Sequence, residues 1–175
     1  MRKIVAISGT HGTGKSTIAY SLCTKLKMKG LNTLVLDELA RKCPFPINKE
    51  AGVITPRWLI CKQMVEEIEL QRQCDYVIAD RSVFDAYCYD LAIHGNDSSV
   101  ASYANVIGDH ITTFYKAIYV PNIHTHNFQI ADGVRDMDKE FRQQVNDTIL
   151  GVYKEFNIKH TIINNIEEIY KDLGV

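Results

Sequence analysis

A nine-residue stretch near the start of the chain constrains its fold more strongly than any other feature. Residues 9–17 are Gly-Thr-His-Gly-Thr-Gly-Lys-Ser-Thr, which fits the phosphate-binding pattern G-x-x-x-x-G-K-[ST]. A branched apolar run at residues 3–8 predicts a buried strand before it. Apolar side chains at helical spacing predict a helix over residues 16–29, ended by Gly30. Strand, glycine-rich loop and helix follow in the order that the pattern requires, so we expect the chain to bind a nucleoside triphosphate.

The chemistry expected of this loop follows from its residue types. Glycines let consecutive backbone N–H groups turn inward, and the partial positive charge of a helix N-terminus favours an anion. We expect Lys15 to reach the β- and γ-phosphates and the Ser16 hydroxyl to bind Mg²⁺, with ATP and Mg²⁺ as cofactors. Thr17 adds a hydroxyl for the α-phosphate. The predicted nucleotide-binding residues are Gly9, Thr10, His11, Gly12, Thr13, Gly14, Lys15, Ser16 and Thr17.

Composition narrows the class of protein and its partners. A length of 175 residues predicts one domain over residues 1–175. The chain is 46% hydrophobic and 23% charged, with a net charge of −1. This balance gives no support for nucleic acid or an anionic membrane as the main partner. The five cysteines are scattered and form no C-x-x-C pair, as expected of reduced thiols. No segment approaches the ~18 apolar residues of a membrane span, so we expect a cytoplasmic protein. The oligomeric state is left open.

Strand and helix patterns alternate along the rest of the chain. Further strands are predicted at residues 32–37, 76–80, 117–120 and 160–163, and further helices at 56–74, 83–94, 100–115, 136–156 and 166–173. This alternation favours a parallel sheet covered by helices on both faces and joined by right-handed crossovers. In such sheets, ligands bind at the carboxyl ends of the strands.

Charged side chains follow the second and third predicted strands. Asp37 and Glu38 lie where a phosphoryl acceptor would enter, and either carboxylate can take the proton of an acceptor hydroxyl. Asp80 can bind Mg²⁺ directly or through water, and Arg81 can hold a phosphate or an anionic transition state. Arg41, one helical turn after Glu38, can pair with it or with substrate phosphate. Acidic strand ends also occur for reasons of solvation alone, which is the alternative for Asp37 and Glu38. The alternative for Asp80 and Arg81 is a surface ion pair that contributes almost nothing to stability.

A polar segment after the fourth strand, about residues 122–142, is predicted to form a lid. It contains Asp-Gly-Val-Arg-Asp at residues 132–136. In a kinase, an arginine-bearing lid closes over the transferring phosphoryl group, expels water and neutralises charge. Arg135, beside the glycine, is the predicted lid arginine. Arg142 is either a second arginine of the site or a solvated helix residue.

Four strings of residues together resemble the P-loop nucleoside/nucleotide kinase-like family, which includes ribosylnicotinamide kinase domains. They are residues 9–17, the string DELAR at 37–41, the string DRSVFDAYCY at 80–89 and the string DGVR at 132–135. The resemblance covers nearly the full chain. It implies a P-loop NTPase three-layer α/β sandwich whose five-stranded parallel sheet has the order 2-3-1-4-5. It also implies Glu38 or Asp37 as the base, Arg81 at the phosphates and Arg135 in the lid.

The resemblance implies an ATP- and Mg²⁺-dependent phosphotransferase acting on a nucleoside, a nucleotide or a similar small metabolite. The catalytic candidates are Lys15, Glu38, Asp37, Arg81 and Arg135, and the metal candidates are Ser16 and Asp80. The substrate candidates are Arg41, Arg57, Trp58, Gln63, Asp85 and Arg142, although Trp58 is equally well explained as a core residue.

Two other activities compete with this interpretation. One is a nucleotide-binding switch or assembly protein with slow hydrolysis, and the other is hydrolysis of a small phosphate ester. The sequence shows no obvious glutamine to position water, whereas the lid pattern and the acids after the second strand favour a kinase. The acceptor, the choice between ATP and GTP, and the choice between Asp37 and Glu38 stay open.

Overall fold

The computed structural model describes residues 2–125 and 138–175. In this part of the chain, a five-stranded sheet has the order β2-β3-β1-β4-β5, and each neighbouring pair is parallel. Its strands are β1 (Ile4–Ile7), β2 (Thr33–Leu36), β3 (Tyr76–Asp80), β4 (Tyr115–Pro121) and β5 (Thr161–Ile163). The strand order and the α/β architecture predicted above are confirmed.

Six α-helices of the described residues cover the two faces of the sheet. They are α1 (Lys15–Met28), α2 (Ile54–Leu70), α3 (Val83–His94), α4 (Ala104–Phe114), α5 (Lys139–Glu155) and α6 (Ile166–Leu173). Side chains of β1 point alternately to the two faces of the sheet. Val5 and Ile7 pack with α1 and α6 on one face, and Ile4 and Ala6 pack with the other helices on the opposite face. Both faces are therefore buried, as expected of a parallel sheet, and the molecule has three layers. None of the helices described is long and apolar enough to cross a membrane.

Local chemistry explains where helix bounds differ from those predicted. Helix α2 begins two residues before Pro56, because proline is tolerated in a first turn, where its missing N–H has no helical partner. Helix α5, predicted from residue 136, begins at Lys139. Asp138 is its cap, and the Asp138 carboxylate accepts the backbone N–H groups of Glu140 and Phe141 at 2.8 and 3.1 Å.

The strand register brings the predicted site residues to one edge of the sheet. Ile7 at the end of β1 lies beside Asp80 at the end of β3. Strand β2 pairs with β3 so that Leu36 lies beside Ala79, which places residues 37 and 38 next to Asp80. The glycine-rich loop therefore begins beside the acidic ends of two neighbouring strands, as expected for a ligand site in such a sheet.

Candidate active site

The glycine-rich loop is held by hydrogen bonds from distant parts of the chain. The N–H of Gly9 donates to Asp85 Oδ2 at 3.2 Å, and the N–H of His11 donates to the Tyr89 hydroxyl at 3.0 Å. Arg142 Nε donates to the His11 carbonyl at 3.1 Å. Gly14 has φ +74° at the start of α1, a conformation that side chains other than glycine rarely adopt. The loop conformation is thus fixed by α3 and α5 as well as by its own glycines.

Lys15 is buried and lies against the backbone of this loop. Its Nζ donates to the Thr10 carbonyl at 2.6 Å, and the Thr13 hydroxyl donates to the same carbonyl at 3.0 Å. Burial, assisted by the charge of Arg81, lowers the pKa of Lys15 to about 8. Burial disfavours the ammonium although Asp80, Glu38 and Asp85 favour it, and a bound polyphosphate would add further negative charge beside it.

Ser16 and Asp80 form the pair expected at a magnesium site. The Ser16 hydroxyl donates to Asp80 Oδ2 at 2.5 Å, whereas Asp80 Oδ1 is buried without a hydrogen-bond partner among the described residues. Burial raises the pKa of Asp80, against the opposing effect of Lys15. The described residues contain no group of three or more His, Cys, Asp or Glu side chains that could hold a metal. One carboxylate and one hydroxyl suit Mg²⁺, which in such sites is completed by phosphate oxygens and water.

Glu38 and Arg81 form a tight pair. Arg81 Nε and Nη2 both lie 2.6 Å from Glu38 Oε1, and Arg41 Nε lies 3.2 Å from Oε2. Burial alone would raise the pKa of Glu38. The charges of Arg81 and Lys15 and the hydrogen bond from Arg81 outweigh burial and hold this pKa at about 2. The carboxylate is therefore ionised at any ordinary pH and lies beside the glycine-rich loop, whose Gly9 carbonyl accepts from Arg81 Nη1 at 3.2 Å.

Asp37 points elsewhere. Its carboxylate is about half exposed, accepts a hydrogen bond from the Tyr20 hydroxyl and lies 3.9 Å from Lys42 Nζ. The two acids that the sequence left equivalent therefore occupy different environments. Glu38 lies at the site, and Asp37 is part of a surface cluster.

The backbone of Arg81 is in an unusual conformation that a buried cluster holds in place. Its φ of +110° is rare for a residue with a side chain and costs roughly 1–3 kcal/mol. Gln63 Nε2 donates to the Arg81 carbonyl at 2.9 Å and also to Glu67 Oε1 at 2.9 Å. Glu67 further accepts from the Tyr115 hydroxyl at 2.7 Å and contacts His110 Nε2 at 2.7 Å. The Tyr115 hydroxyl accepts the N–H of Val83 at 3.0 Å, so the cluster holds both sides of the turn at residues 81–83.

We expect Tyr115→Phe to lower the free energy of unfolding by about 1–3 kcal/mol. The buried Val83 N–H loses its acceptor, and Glu67 Oε1 loses one of its two hydrogen bonds. Urea denaturation measures this change. Tyr20→Phe is the matched control, since the Tyr20 hydroxyl lies on an exposed side chain, and its effect should stay within about 0.5 kcal/mol. Equal stability of Tyr115→Phe and the wild type would contradict the role given to the cluster.

A cavity opens beside the Glu38–Arg81 pair. It lies between the turn after β2, the loop at residues 47–51, and helices α2 and α3, and its empty space, counted together with the open solvent at its mouth, is about 790 Å³. Leu39, Ile47, Leu59 and Ile93 give it apolar walls. His11 and Arg81 belong both to this cavity and to the surroundings of the glycine-rich loop. A group bound in the cavity would therefore lie next to the terminal phosphate of a nucleotide on the loop.

The structure separates the predicted substrate residues. Gln63 lines the cavity, whereas Arg57 is exposed and donates to the Ser99 carbonyl at 3.2 Å, and Trp58 packs against the core. Asp85 is buried, and its carboxylate accepts from Ser8, Gly9 and Ser82 at 2.5–3.2 Å, so it supports the loop. Arg41 is not part of the cavity wall but pairs with Glu38.

The two arginines of the segment at residues 122–142 have different outcomes. Arg142 is buried, with Nε on His11 and Nη2 3.4 Å from the Ile123 carbonyl, so the solvated alternative is wrong. Its role in the structure is to join α5 to the glycine-rich loop. Arg135 and the Asp-Gly-Val-Arg string lie outside the described residues, and the lid stays a prediction.

Sequence reasoning missed several residues of the site. Glu67, His110 and Tyr115 come from two helices and a strand, and no local spacing connects them. Asp90 was overlooked inside α3, although a helical projection places it on the same face as Ala86. Both line the cavity.

Known proteins share this fold. A family model described as an AAA domain matches residues 4–168. The NadR protein in complex with NR superposes with a TM-score of 0.74 at 17% identity, covering 99% of this chain and 51% of that chain. Deoxyadenosine kinase from M. mycoides gives 0.66 at 18% identity, with 98% of each chain covered. Thymidylate kinase from Ehrlichia chaffeensis gives 0.64 at 15% identity, covering 98% of this chain and 96% of that chain.

The chain spans about half the length of the NadR protein and nearly the full length of the other two. No curated protein sequence matches it. At these identities, the structural similarity establishes a common fold.

Proposed function

The chain belongs to the AAA-domain family and shares its fold with nucleoside and nucleotide kinases, and on this basis we propose that it is an ATP- and Mg²⁺-dependent phosphotransferase. It transfers the γ-phosphoryl group to a nucleoside, a nucleotide or a similar small metabolite. The observation that carries the proposal is the ionised Glu38, which lines a cavity directly beside the phosphate-binding loop. A switch that only hydrolyses nucleotide needs no such cavity for a second substrate.

We assign the nucleotide to the loop at residues 9–17. The backbone N–H groups and Lys15 stabilise the charge of the phosphates, and Thr17 offers a further hydroxyl. Mg²⁺, held by Ser16 and Asp80 together with phosphate oxygens, would neutralise charge on the β- and γ-phosphates.

In this proposal, Glu38 accepts the proton of the acceptor hydroxyl. A carboxylate with a pKa of about 2 is a weak base. Phosphoryl transfer tolerates a weak base, because its loose transition state develops little bond order to the attacking oxygen. The Arg81 guanidinium, in contact with Glu38 Oε1 and the loop carbonyl of Gly9, is suitably placed to turn one edge toward the transferring phosphoryl group. Arg135 remains the proposed lid arginine of the segment at about residues 122–142.

We further propose a small-molecule acceptor, with neither nucleic acid nor a membrane as partner, and a cytoplasmic location for this single domain over residues 1–175. The test of the activity is incubation with ATP, Mg²⁺ and a pool of nucleosides and nucleotides, followed by mass spectrometry. A phosphorylated member of the pool is expected. ADP without any phosphorylated product would support the switch instead.

Lys15 gives a prediction for nucleotide binding. Because its pKa is about 8 in the empty protein, Lys15 loses its proton as the pH rises through that value. We therefore expect ATP affinity to fall between about pH 7.5 and 9.5, and ATP binding in that range to take up a proton. Titration calorimetry in two buffers of different ionisation enthalpy measures the uptake. Lys15→Met should abolish it and the exposed-site control Lys29→Met should retain it. Uptake that persists in Lys15→Met would contradict the assignment.

A further inference from the structure

One carboxylate of the cavity wall has an unused hydrogen-bonding atom. Asp90 on α3 is 2% exposed, and its Oδ2 accepts from the Ser98 hydroxyl at 2.7 Å and the Ser99 N–H at 3.0 Å. Its Oδ1 is buried and has no hydrogen-bond partner within residues 2–125 and 138–175. His94 Nε2 lies 3.8 Å from this oxygen, beyond hydrogen-bonding distance. A buried carboxylate oxygen without a donor is unfavourable, and a ligand that supplies a donor would relieve it.

The position of Asp90 relates this oxygen to the proposed chemistry. Ser82, Ala86, Asp90 and Ile93 line the cavity from one face of α3. Asp90 follows Ser82 by eight residues, or about 12 Å along a helix axis. Glu38 and Arg81 lie at the start of this helix. A molecule that presents its hydroxyl to Glu38 can therefore extend along α3 toward Asp90.

The walls between these two ends favour a ring. Leu59, Ile47 and Ala86 supply apolar surface, and Tyr89 adds an aromatic side chain. Apolar and aromatic walls with a few placed polar groups are typical of sites that bind small molecules, and aromatic surface suits the face of a ring. A ring in this space would meet Asp90 Oδ1 with one edge, and a hydrogen-bond donor on that edge, such as an amino group, would satisfy the oxygen.

We propose that Asp90 is a specificity residue that accepts a hydrogen bond from an exocyclic amino group on the ring of the acceptor. This inference rests on the proposed kinase function and deepens it by naming a chemical feature of the acceptor. A carbonyl oxygen at the same place would face Asp90 Oδ1, and because both atoms are acceptors, no hydrogen bond could form between them. Sites built around such a hydrogen bond reject the analogue that cannot make it.

The test uses nucleosides that differ at one ring position. Cytidine and adenosine carry an amino group where uridine and inosine carry a carbonyl. We expect kcat/KM in each pair to favour the amino-bearing member by about 10²-fold or more. Asp90→Asn should reduce that preference at least tenfold through the acceptor KM, because an amide can also donate to a carbonyl. The KM for ATP should not change.

Ser98→Ala is the matched control, since it removes a contact to Oδ2 and leaves Oδ1 intact. It should keep the wild-type preference. Equal use of both members of each pair by the wild type, an unchanged preference in Asp90→Asn, or the same loss in Ser98→Ala would each overturn the role of Asp90 while leaving the kinase function in place. Hydrolysis of ATP with no member of a wider pool of nucleosides and nucleotides phosphorylated would overturn both.

Discussion

Glu38→Gln is expected to lower kcat for acceptor phosphorylation by about 10²–10⁴-fold, with ATP affinity changed only a few-fold. The amide cannot accept the proton of the acceptor hydroxyl, and it removes the charge that orients Arg81 through the two 2.6 Å contacts. Steady-state kinetics with a phosphorylated acceptor, together with ATP titration, measure the two effects separately. Because the pKa of Glu38 is about 2, the wild-type kcat should show no acid limb near pH 4–5 from this group.

Asp37→Asn is the matched control for this prediction. The Asp37 carboxylate lies on the surface, in contact with Tyr20 and Lys42, so its replacement should leave kcat within a few-fold of wild type. A large loss in Asp37→Asn and none in Glu38→Gln would reverse the assignment. If kcat is unchanged in both variants, neither carboxylate acts as the base.

Lys15→Met is expected to reduce phosphoryl transfer by at least about 10²–10³-fold without destabilising the fold. Methionine keeps much of the side-chain length and removes the charge that we place at the β- and γ-phosphates. Burial lowers the pKa of Lys15 to about 8, which means that the folded state disfavours the ammonium relative to the unfolded chain. Unfolding at neutral pH should therefore show Lys15→Met to be at least as stable as wild type.

A folded Lys15→Met variant with normal turnover would remove the glycine-rich loop from catalysis. A variant that loses both activity and stability would show instead that the Nζ contact to the Thr10 carbonyl is structural.

The sheet was predictable because its signals are local. Each strand is a short apolar run, each helix has a 3.6-residue spacing, and Gly30 ends α1 as expected, with φ +81°. The strand order came from the family resemblance, since strand patterns alone do not determine which strands are neighbours. The bounds of α4 differed because residues 101–103 form a separate 3₁₀ turn before it.

The candidate site was only partly predictable, since much of it depends on contacts between distant residues. The choice of Glu38 over Asp37 had a weak local signal, because side chains alternate along an extended chain and Leu36 is buried. The burial of Arg142 had none, since its partners His11 and Ile123 come from other parts of the chain. The same holds for the cluster around Glu67, because its partners His110 and Tyr115 lie 43 and 48 residues further along the chain.

The measurement that tests the central claim most directly is the ratio of ADP formed to acceptor phosphorylated, with a nucleoside that the enzyme accepts. The account predicts one ADP for each phosphorylated acceptor, and a much slower release of ADP when the acceptor is left out. ADP formation that proceeds at the same rate with and without acceptor, and leaves every nucleoside unmodified, would contradict it.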